Sequence, residues 1–302
     1  MRDMARQLRP STDPDLEQMA EFVSRGAIEK GADFESLENG SKSTFDVVVQ
    51  SNMDMVKAVT SILAHTSHCT IELLSLTFYL RDESIEIFRS VDYTMQNREV
   101  VTASFAVFPE IQDMDCPDDD MVIYARRFLS FFNNYPRVFG GLKSLHISSV
   151  RLGKFDIANV LSTSMKLENL CLNNCDCGIG SVLQIEHPQL MELKIIFCAF
   201  EKVELNWLPK LQRLTCDSWM PSQDRYPLSF GYVPQLWELR LINAVSTLHK
   251  TIKLSDFLGN AIICLLDLDF QTTSVWSHIC YEEEDFKEYD QLRQQIIRRK
   301  MV

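Results

Sequence analysis

The sequence predicts an α/β solenoid in which a curved parallel sheet forms the concave side and helices or loops form the convex side. Two observations predict it. A short leucine-containing template recurs along the chain, and its copies follow one another at nearly constant spacing. Because one short repeat cannot bury its apolar side alone, such copies must stack on their neighbours. We therefore expect about 8 repeats in one continuous domain.

The template is L-x-x-L-x-L-x-x-N/C, the pattern of the leucine-rich repeat. The copies at residues 167–175 and 190–198 fit it at every fixed position. Weaker copies begin at residues 142, 211, 236 and 263, so the six copies advance in steps of 25, 23, 21, 25 and 27 residues. These steps lie within the roughly 20 to 29 residues of this repeat. Two less regular copies begin at residues 71 and 100.

The template positions have separate structural roles. Leucines at the first, fourth and sixth positions point inward, and the residues between them point outward from a shared parallel sheet. The ninth position turns inward, where Asn or Cys can hydrogen-bond the backbone of the bend. Cys175 and Cys198 occupy that position.

Three helices are predicted between and before these strands. Apolar residues at helical spacing predict one over residues 121–134, with aspartates before it and Pro136 ending it. A second begins at Asp156, which we expect to be its N-cap. Residues 44–66 form an amphipathic pattern and are expected to cap the first repeat.

The expected organisation has three parts. Residues 1–44 form a polar, partly disordered N-terminal segment, and residues 45–272 form the repeat domain with its capping helix. Residues 273–302 form a charged helical tail, acidic at its start and basic at its end, which suits the dipole of a helix.

Composition excludes several classes of protein. The net charge of -12 repels nucleic acids and acidic membranes. No apolar run reaches the roughly 18 to 20 residues that span a bilayer. The N-terminus lacks the apolar core of a secretory signal, so the nine cysteines are expected to remain thiols. We expect a monomer in the cytoplasm or nucleus.

Metal and catalytic sites are not expected. Cys171, Cys175 and Cys177 lie close together, but no second pair follows at the spacing that zinc requires. The aspartates between residues 113 and 120 lack the Gly and Glu of a calcium loop. Neither a nucleophile elbow nor a phosphate-binding loop is present. We therefore expect no cofactor and no enzyme activity.

Function is expected on the concave face, at the outward positions of the strands. Glu192, Arg213 and Glu238 should form a row of alternating charge. It is either an exposed ion-pair ladder worth about 0.5 kcal/mol per pair, or a recognition strip flanked by Trp237. Changing Arg213 and Arg240 to Glu should abolish partner binding without unfolding. The candidate partner-binding residues are Ser144, His146, Asn169, Glu192, Lys194, Arg213, Thr215, Trp237, Glu238 and Arg240.

Residues 45–271 resemble the leucine-rich-repeat region of plant F-box proteins, particularly the large grass family with F-box, repeat and FBD-like parts. The resemblance rests on six runs: FGGLKSL from residue 139, LENLCLNNCD from 167, VLQIEHPQL from 182, LPKL from 208, FGYVPQL from 230 and LDLDFQ from 266. It implies a substrate-selecting subunit, in which an F-box holds the Skp-type adaptor of a cullin–RING ubiquitin ligase and the repeats hold the target.

An F-box would start with Leu-Pro-x-Glu/Asp and continue as a helical run. Residues 1–44 show neither feature, so the chain looks like a shortened member of that family. Three hypotheses stay open: a protein-binding module without its own F-box, a complete receptor with a divergent N-terminal F-box, and a truncated, non-functional relative whose exposed repeat ends would aggregate.

Overall fold

The computed structural model describes residues 44–65, 70–111, 116–178, 180–217, 228–242 and 265–269. The predicted polar N-terminal segment and the predicted charged tail lie outside these residues, so the domain boundaries remain predictions. Within the described residues, no helix is long and apolar enough to cross a membrane.

Each of the eight predicted repeats supplies one strand to a single parallel sheet, which confirms the predicted fold class. The sheet order is β1-β2-β3-β4-β6-β8-β10-β11, so strands neighbour one another in the order of their repeats. The strands are β1 Ile71–Tyr79, β2 Val100–Phe108, β3 Leu142–Ser148, β4 Asn169–Asn173, β6 Glu192–Ile196, β8 Arg213–Asp217, β10 Glu238–Ile242 and β11 Leu265–Asp269.

All helices of the described residues precede β4 in the chain. They lie at or near the predicted ranges, with one more after β1 and a short one before β3. They are α1 Thr44–His65, α2 Ile85–Asn97, α3 Asp118–Asn134, α4 Pro136–Gly141 and α5 Asp156–Thr163, and a 3-10 turn, Asp82–Ser84, precedes α2.

One predicted helix end is confirmed and one predicted N-cap was wrong. Pro136 follows the end of α3, but it is also the first residue of α4. Proline suits that position because the missing N–H would have no partner inside the helix. Asp156 is the first residue of α5, whose N-cap is Phe155. Its carboxylate accepts a hydrogen bond from the Gly153 N–H at 2.6 Å, outside the helix.

The return segments of the later repeats are strands, which corrects the prediction of helices or loops on the convex side. They form a second parallel sheet of β5 Val182–Glu186, β7 Lys202–Trp207 and β9 Leu228–Tyr232, in that order. An extended chain advances about 3.3 Å per residue and a helix about 1.5 Å. A strand therefore covers the return path with fewer residues than a helix.

The core lies between the large sheet and the elements behind it. In the first repeats it is aromatic and centres on Phe88, which is fully buried. Its ring centroid lies 4.9 Å from that of Phe131 and 5.6 Å from that of Phe139. After β4 the buried side chains are mostly Leu, Ile, Val and Cys. The two halves of the solenoid are thus filled by different packing.

The first repeat is covered by α1, which packs against α2. Val59 and Leu63 of α1 belong to the common core. Asn52 is buried and donates to Ser84 Oγ at 2.9 Å, while its own oxygen accepts the Tyr79 N–H at 3.0 Å. The helix is therefore fixed to the first repeat by apolar contacts and by a buried polar anchor.

The ninth template position performs its predicted role. The thiol sulfur of Cys175 lies 3.2 Å from the Asn173 carbonyl oxygen, and that of Cys198 lies 3.3 Å from the Ile196 carbonyl oxygen. The Cys175 N–H also donates to the Cys198 sulfur at 3.4 Å. The two cysteines link the bends of neighbouring repeats to each other.

Candidate functional site

The face of the large sheet that points away from the core is called here the open face. Its side chains come from the third and fifth template positions, because successive residues of a strand point to opposite sides. Along β4 and β6 the burial alternates between half-buried outward residues and buried inward leucines and isoleucines. The open face thus presents polar side chains in a regular array.

The predicted rows are in register. Ser144 pairs with Asn169, Asn169 with Glu192, Glu192 with Arg213, and Arg213 with Glu238. The fifth positions align in the same way, as His146, Cys171, Lys194, Thr215 and Arg240. The structure therefore brings all of these predicted residues onto one surface.

The two halves of the open face differ in chemistry. On β1 to β4 the third and fifth positions carry no Asp, Glu, Lys or Arg, and they include the exposed Leu73 and the ring of His146. The His146 ring lies edge-on to Phe108, with centroids 4.9 Å apart, and its Nε2 lies 3.2 Å from Ser148 Oγ. On β6 to β11 the same positions are mostly charged. Charge-dependent recognition must therefore involve the later strands.

Glu192 links two cations on the open face. Arg213 Nη2 donates to Glu192 Oε2 at 2.8 Å, and Lys194 Nζ lies 3.0 Å from Glu192 Oε1. Burial raises the pKa of Glu192, but the bonds from Arg213 and Lys194 outweigh it and hold that pKa below its ordinary value. Glu192 is therefore a carboxylate with both oxygens engaged.

Glu238 does not continue the predicted ladder. It lies beside Arg213 in register, but its Oε1 accepts a hydrogen bond from Arg240 Nε, on its own strand, at 2.6 Å. Glu238 is also buried rather than exposed. In the row of third template positions, the next residue after Glu238 is Leu265 of β11, which carries no charge. The row of alternating charge therefore stops at Arg213. Glu238 pairs instead with Arg240 of its own strand, through a short and partly desolvated hydrogen bond.

The remaining predicted residue, Trp237, lies immediately before β10. Its indole side chain is exposed, while its backbone N–H donates to the Gln212 carbonyl oxygen at 3.1 Å. It therefore borders the open face next to Glu238, where the sequence placed it.

Cys171, Cys175 and Cys177, which are close in sequence, lie in different environments. Cys171 lies on the open face in the row of fifth template positions, and Cys175 is buried in a bend. Burial, helped by nearby Asp176, raises the pKa of the half-buried Cys177 thiol to about 12. Over the part of the chain that the structure describes, no group of three or more His, Cys, Asp and Glu side chains could hold a metal ion.

The second sheet carries exposed residues that sequence reasoning missed. Trp207 and Tyr232 pair in register on β7 and β9, and both side chains are exposed. The available signal was the alternation of apolar and polar residues in VLQIE and KVELNW, which is typical of half-buried strands. The leucine template does not include these segments.

Comparisons with known proteins agree with the repeat geometry. Residues 121–255 match the family model described as "FBD-associated F-box protein At5g56370, LRR repeats". The match confirms, over these residues, the resemblance to F-box proteins with leucine-rich repeats and FBD-like parts. Neither the curated proteins nor the solved structures gave a match.

Proposed function

Because residues 121–255 match the repeats of an FBD-associated F-box protein family, we propose that this chain is a protein-binding module that holds a target protein on its open face. The role corresponds to the substrate-recognition part of an F-box ubiquitin-ligase receptor. It requires no cofactor and no catalytic residue.

The observation that carries this proposal is the open face itself. From β3 to β11 the parallel strands of the large sheet hold their third and fifth template positions in two aligned rows. Those side chains include hydroxyl, amide, imidazole, ammonium and guanidinium groups, which recognise proteins by hydrogen bonds and ion pairs. Arginine and tryptophan, both present there, are enriched at the residues that dominate binding energy in protein interfaces.

The proposal is tested by co-precipitation of the tagged, intact chain from a plant extract. Thr215 lies at the centre of the charged rows, between Lys194 and Arg240. We expect Thr215→Trp to remove partners that the unchanged chain retains, because the indole would block the face. Gln184→Trp is the matched control, since Gln184 is an exposed residue on β5 of the second sheet.

Partners that survive Thr215→Trp but are lost with Gln184→Trp would move the site to the second sheet and contradict the proposal. The same precipitate should be probed for a Skp-type adaptor. Its presence, dependent on residues 1–44, would favour the second candidate, a complete receptor with a divergent F-box. Aggregation of the unchanged chain would favour the truncated relative.

A further inference from the structure

The charged half of the open face contains three partly exposed cations, each paired with a carboxylate that is less accessible than the cation. The Lys194, Arg213 and Arg240 side chains are 45%, 39% and 45% exposed. The carboxylates that bond them most closely are less accessible, with Glu192 at 19% and Glu238 at 9%. A molecule approaching this surface therefore meets positive charge first.

The three cations form a compact group. Lys194 and Arg240 lie on either side of Thr215, on strands in register, so their backbones are about 10 Å apart given the usual strand spacing. Arg213 lies on the same strand as Thr215, two residues earlier. A single ligand group near the Thr215 hydroxyl would thus be within reach of all three long side chains.

The cations retain hydrogen-bond donors for a ligand. Arg240 uses Nε for Glu238, and Arg213 uses Nη2 for Glu192. A guanidinium group carries five N–H donors in a planar arrangement that suits carboxylates. The intramolecular bonds therefore orient both guanidinium groups without consuming them, which lowers the entropy lost on binding.

Acidic side chains limit the size of this positive surface. Asp267 follows Arg240 in the row of fifth template positions. Its side chain is 47% exposed, and its carboxylate lies 3.9 Å from Arg240 Nε. Asp217 follows Thr215 by two residues on β8. A long polyanion would meet these carboxylates as well as the overall charge of -12. The surface fits one or two adjacent acidic side chains better than a nucleic acid.

We propose that Lys194, Arg213 and Arg240 form the docking point for a short acidic segment of the partner protein, with one or two Asp or Glu side chains bound around Thr215. This inference rests on the proposed function and names the chemistry of the partner. The occupant is argued from charge complementarity: around Thr215 the three cations are more exposed than Glu192 and Glu238, in a protein that is otherwise strongly acidic.

The test is selection of a displayed library of random 12-residue peptides, about the length of one interface segment, against the intact chain. We expect the selected peptides to be enriched in Asp and Glu relative to the input library. Replacing the acidic residues of a selected peptide by Asn and Gln should weaken its binding about tenfold or more. This readout requires no change in the protein.

The protein variant that tests the docking point is Glu238→Gln combined with Arg240→Gln. It removes an exposed cation without leaving the buried carboxylate unpaired, and it keeps the net charge. Lys202→Gln combined with Glu204→Gln is the matched control, because Lys202 and Glu204 form the same kind of on-strand pair at 2.7 Å on β7 of the second sheet. We expect acidic peptides to bind the control variant normally and the first variant about tenfold more weakly.

Selected peptides without an acidic excess, or acidic peptides that bind both variants equally well, would overturn the inference. If such peptides are still blocked by Thr215→Trp, the proposed function stands and only the acidic chemistry is wrong. If they are unaffected by Thr215→Trp, the open face itself is wrong. Displacement of the peptides by a single-stranded DNA oligonucleotide at physiological salt would assign the surface to polyanions instead.

Discussion

At the scale of single residues, the bends after the strands show a recurring backbone conformation. Ser149, Asn174 and Phe197 occupy the same template position in three successive repeats, with φ of 53°, 48° and 51°. Their N–H groups continue the ladder of hydrogen bonds between repeats, as in the 2.8 Å bond from Asn174 to the Ile196 carbonyl oxygen. The left-handed region is unfavourable for most L-residues and tolerated by Asn. Phe197 therefore sits in a strained position.

We expect Phe197→Asn to raise the free energy of unfolding by about 0.5 to 1 kcal/mol, because Asn adopts this conformation at lower cost. The Phe197 ring is exposed, so little packing is lost. Chemical denaturation measures the change. The reverse substitution, Asn174→Phe, should destabilise the protein, and it also removes the 3.1 Å bond from Asn174 to Ser149 Oγ. A loss of stability in Phe197→Asn would contradict this interpretation.

His187 is a buried ring with both nitrogens engaged in its neutral form. Its Nε2 lies 3.0 Å from the Ser164 carbonyl oxygen, to which it donates, and its Nδ1 accepts the Gln189 N–H at 3.2 Å. Burial lowers the pKa of His187 below its ordinary value of 6.5, although the Ser164 bond opposes the shift. The unfolded chain therefore takes up a proton at a pH where the folded chain does not.

The sign of this effect gives a pH prediction. As the pH falls from 6.5 towards the lowered pKa of folded His187, the unfolded state gains a proton that the native state lacks, so stability falls. We expect the unfolding free energy of the unchanged chain to drop more between about pH 7.5 and pH 5.5 than that of His187→Gln. Equal drops in the two proteins would exclude His187 as the cause.

At the scale of elements, α1 is attached to the repeats by more than its apolar side. Buried Asn52 bonds both the Ser84 hydroxyl and the Tyr79 backbone N–H, and it lies 3.3 Å from Glu83 Oε1. A leucine-rich repeat leaves an open apolar end, which a terminal element must cover. The position of Asn52 also fixes which turn of α1 meets the first repeat.

Replacement of Asn52 by Leu should destabilise the protein by about 2 to 3 kcal/mol, because it leaves the partly buried Tyr79 N–H and the buried Ser84 hydroxyl without this partner. Gln50→Leu is the matched control on an exposed position of the same helix, where the side chain donates to Asp54 at 2.9 Å. Thermal unfolding of both variants measures the difference. Equal behaviour of the two would mean that α1 is held by apolar contacts alone.

At the scale of the whole molecule, the core changes character along the solenoid. Phe88 is surrounded by aromatic rings in the first repeats, whereas the later repeats stack aliphatic layers such as Leu205 behind the large sheet. Each repeat contacts mainly its neighbours, so stability in such proteins is local and is passed along the stack. A cavity at one end of the solenoid should therefore lower the local stability most strongly at that end.

We expect Phe88→Ala to cost about 3 to 5 kcal/mol and to increase amide hydrogen exchange in residues 71–142 more than in residues 182–216. Leu205→Ala, at a fully buried position of β7, should give the opposite distribution. Hydrogen exchange followed by mass spectrometry measures both patterns. A uniform increase along the chain in both variants would show that the solenoid unfolds as one unit.

The charge reversal proposed from the sequence, Arg213 and Arg240 to Glu, does not separate lost binding from lost stability. Arg240→Glu would place a third carboxylate beside buried Glu238 and Asp267. Leaving a buried charge unpaired is destabilising, so lost binding in that variant could reflect lost folding. The charge-neutral pair of substitutions at Glu238 and Arg240 separates binding from stability.

The sequence by itself determined the eight strands, their order and most of their register. Between β2 and β3 the register differs, because Phe105 rather than Ala103 lies opposite Leu145, beside an irregularity in β2. The period of the leucine template sets one strand per repeat, and the inward leucines align neighbouring strands, so Ser144, Asn169, Glu192 and Arg213 had to share a row. Local patterns also determined α3 and the inward ninth position, because helical spacing and bend chemistry depend on residues close in the chain.

Only the tertiary structure decided what the outward side chains do. Register placed Glu238 beside Arg213, but the bond to Arg240 and the burial of Glu238 depend on how side chains share space and solvent across strands. The second sheet was likewise decided by packing, since the alternating pattern of β5 and β7 becomes a sheet only when successive repeats stack. Contacts between residues distant in sequence control partner choice and burial, and the template carries no information about them.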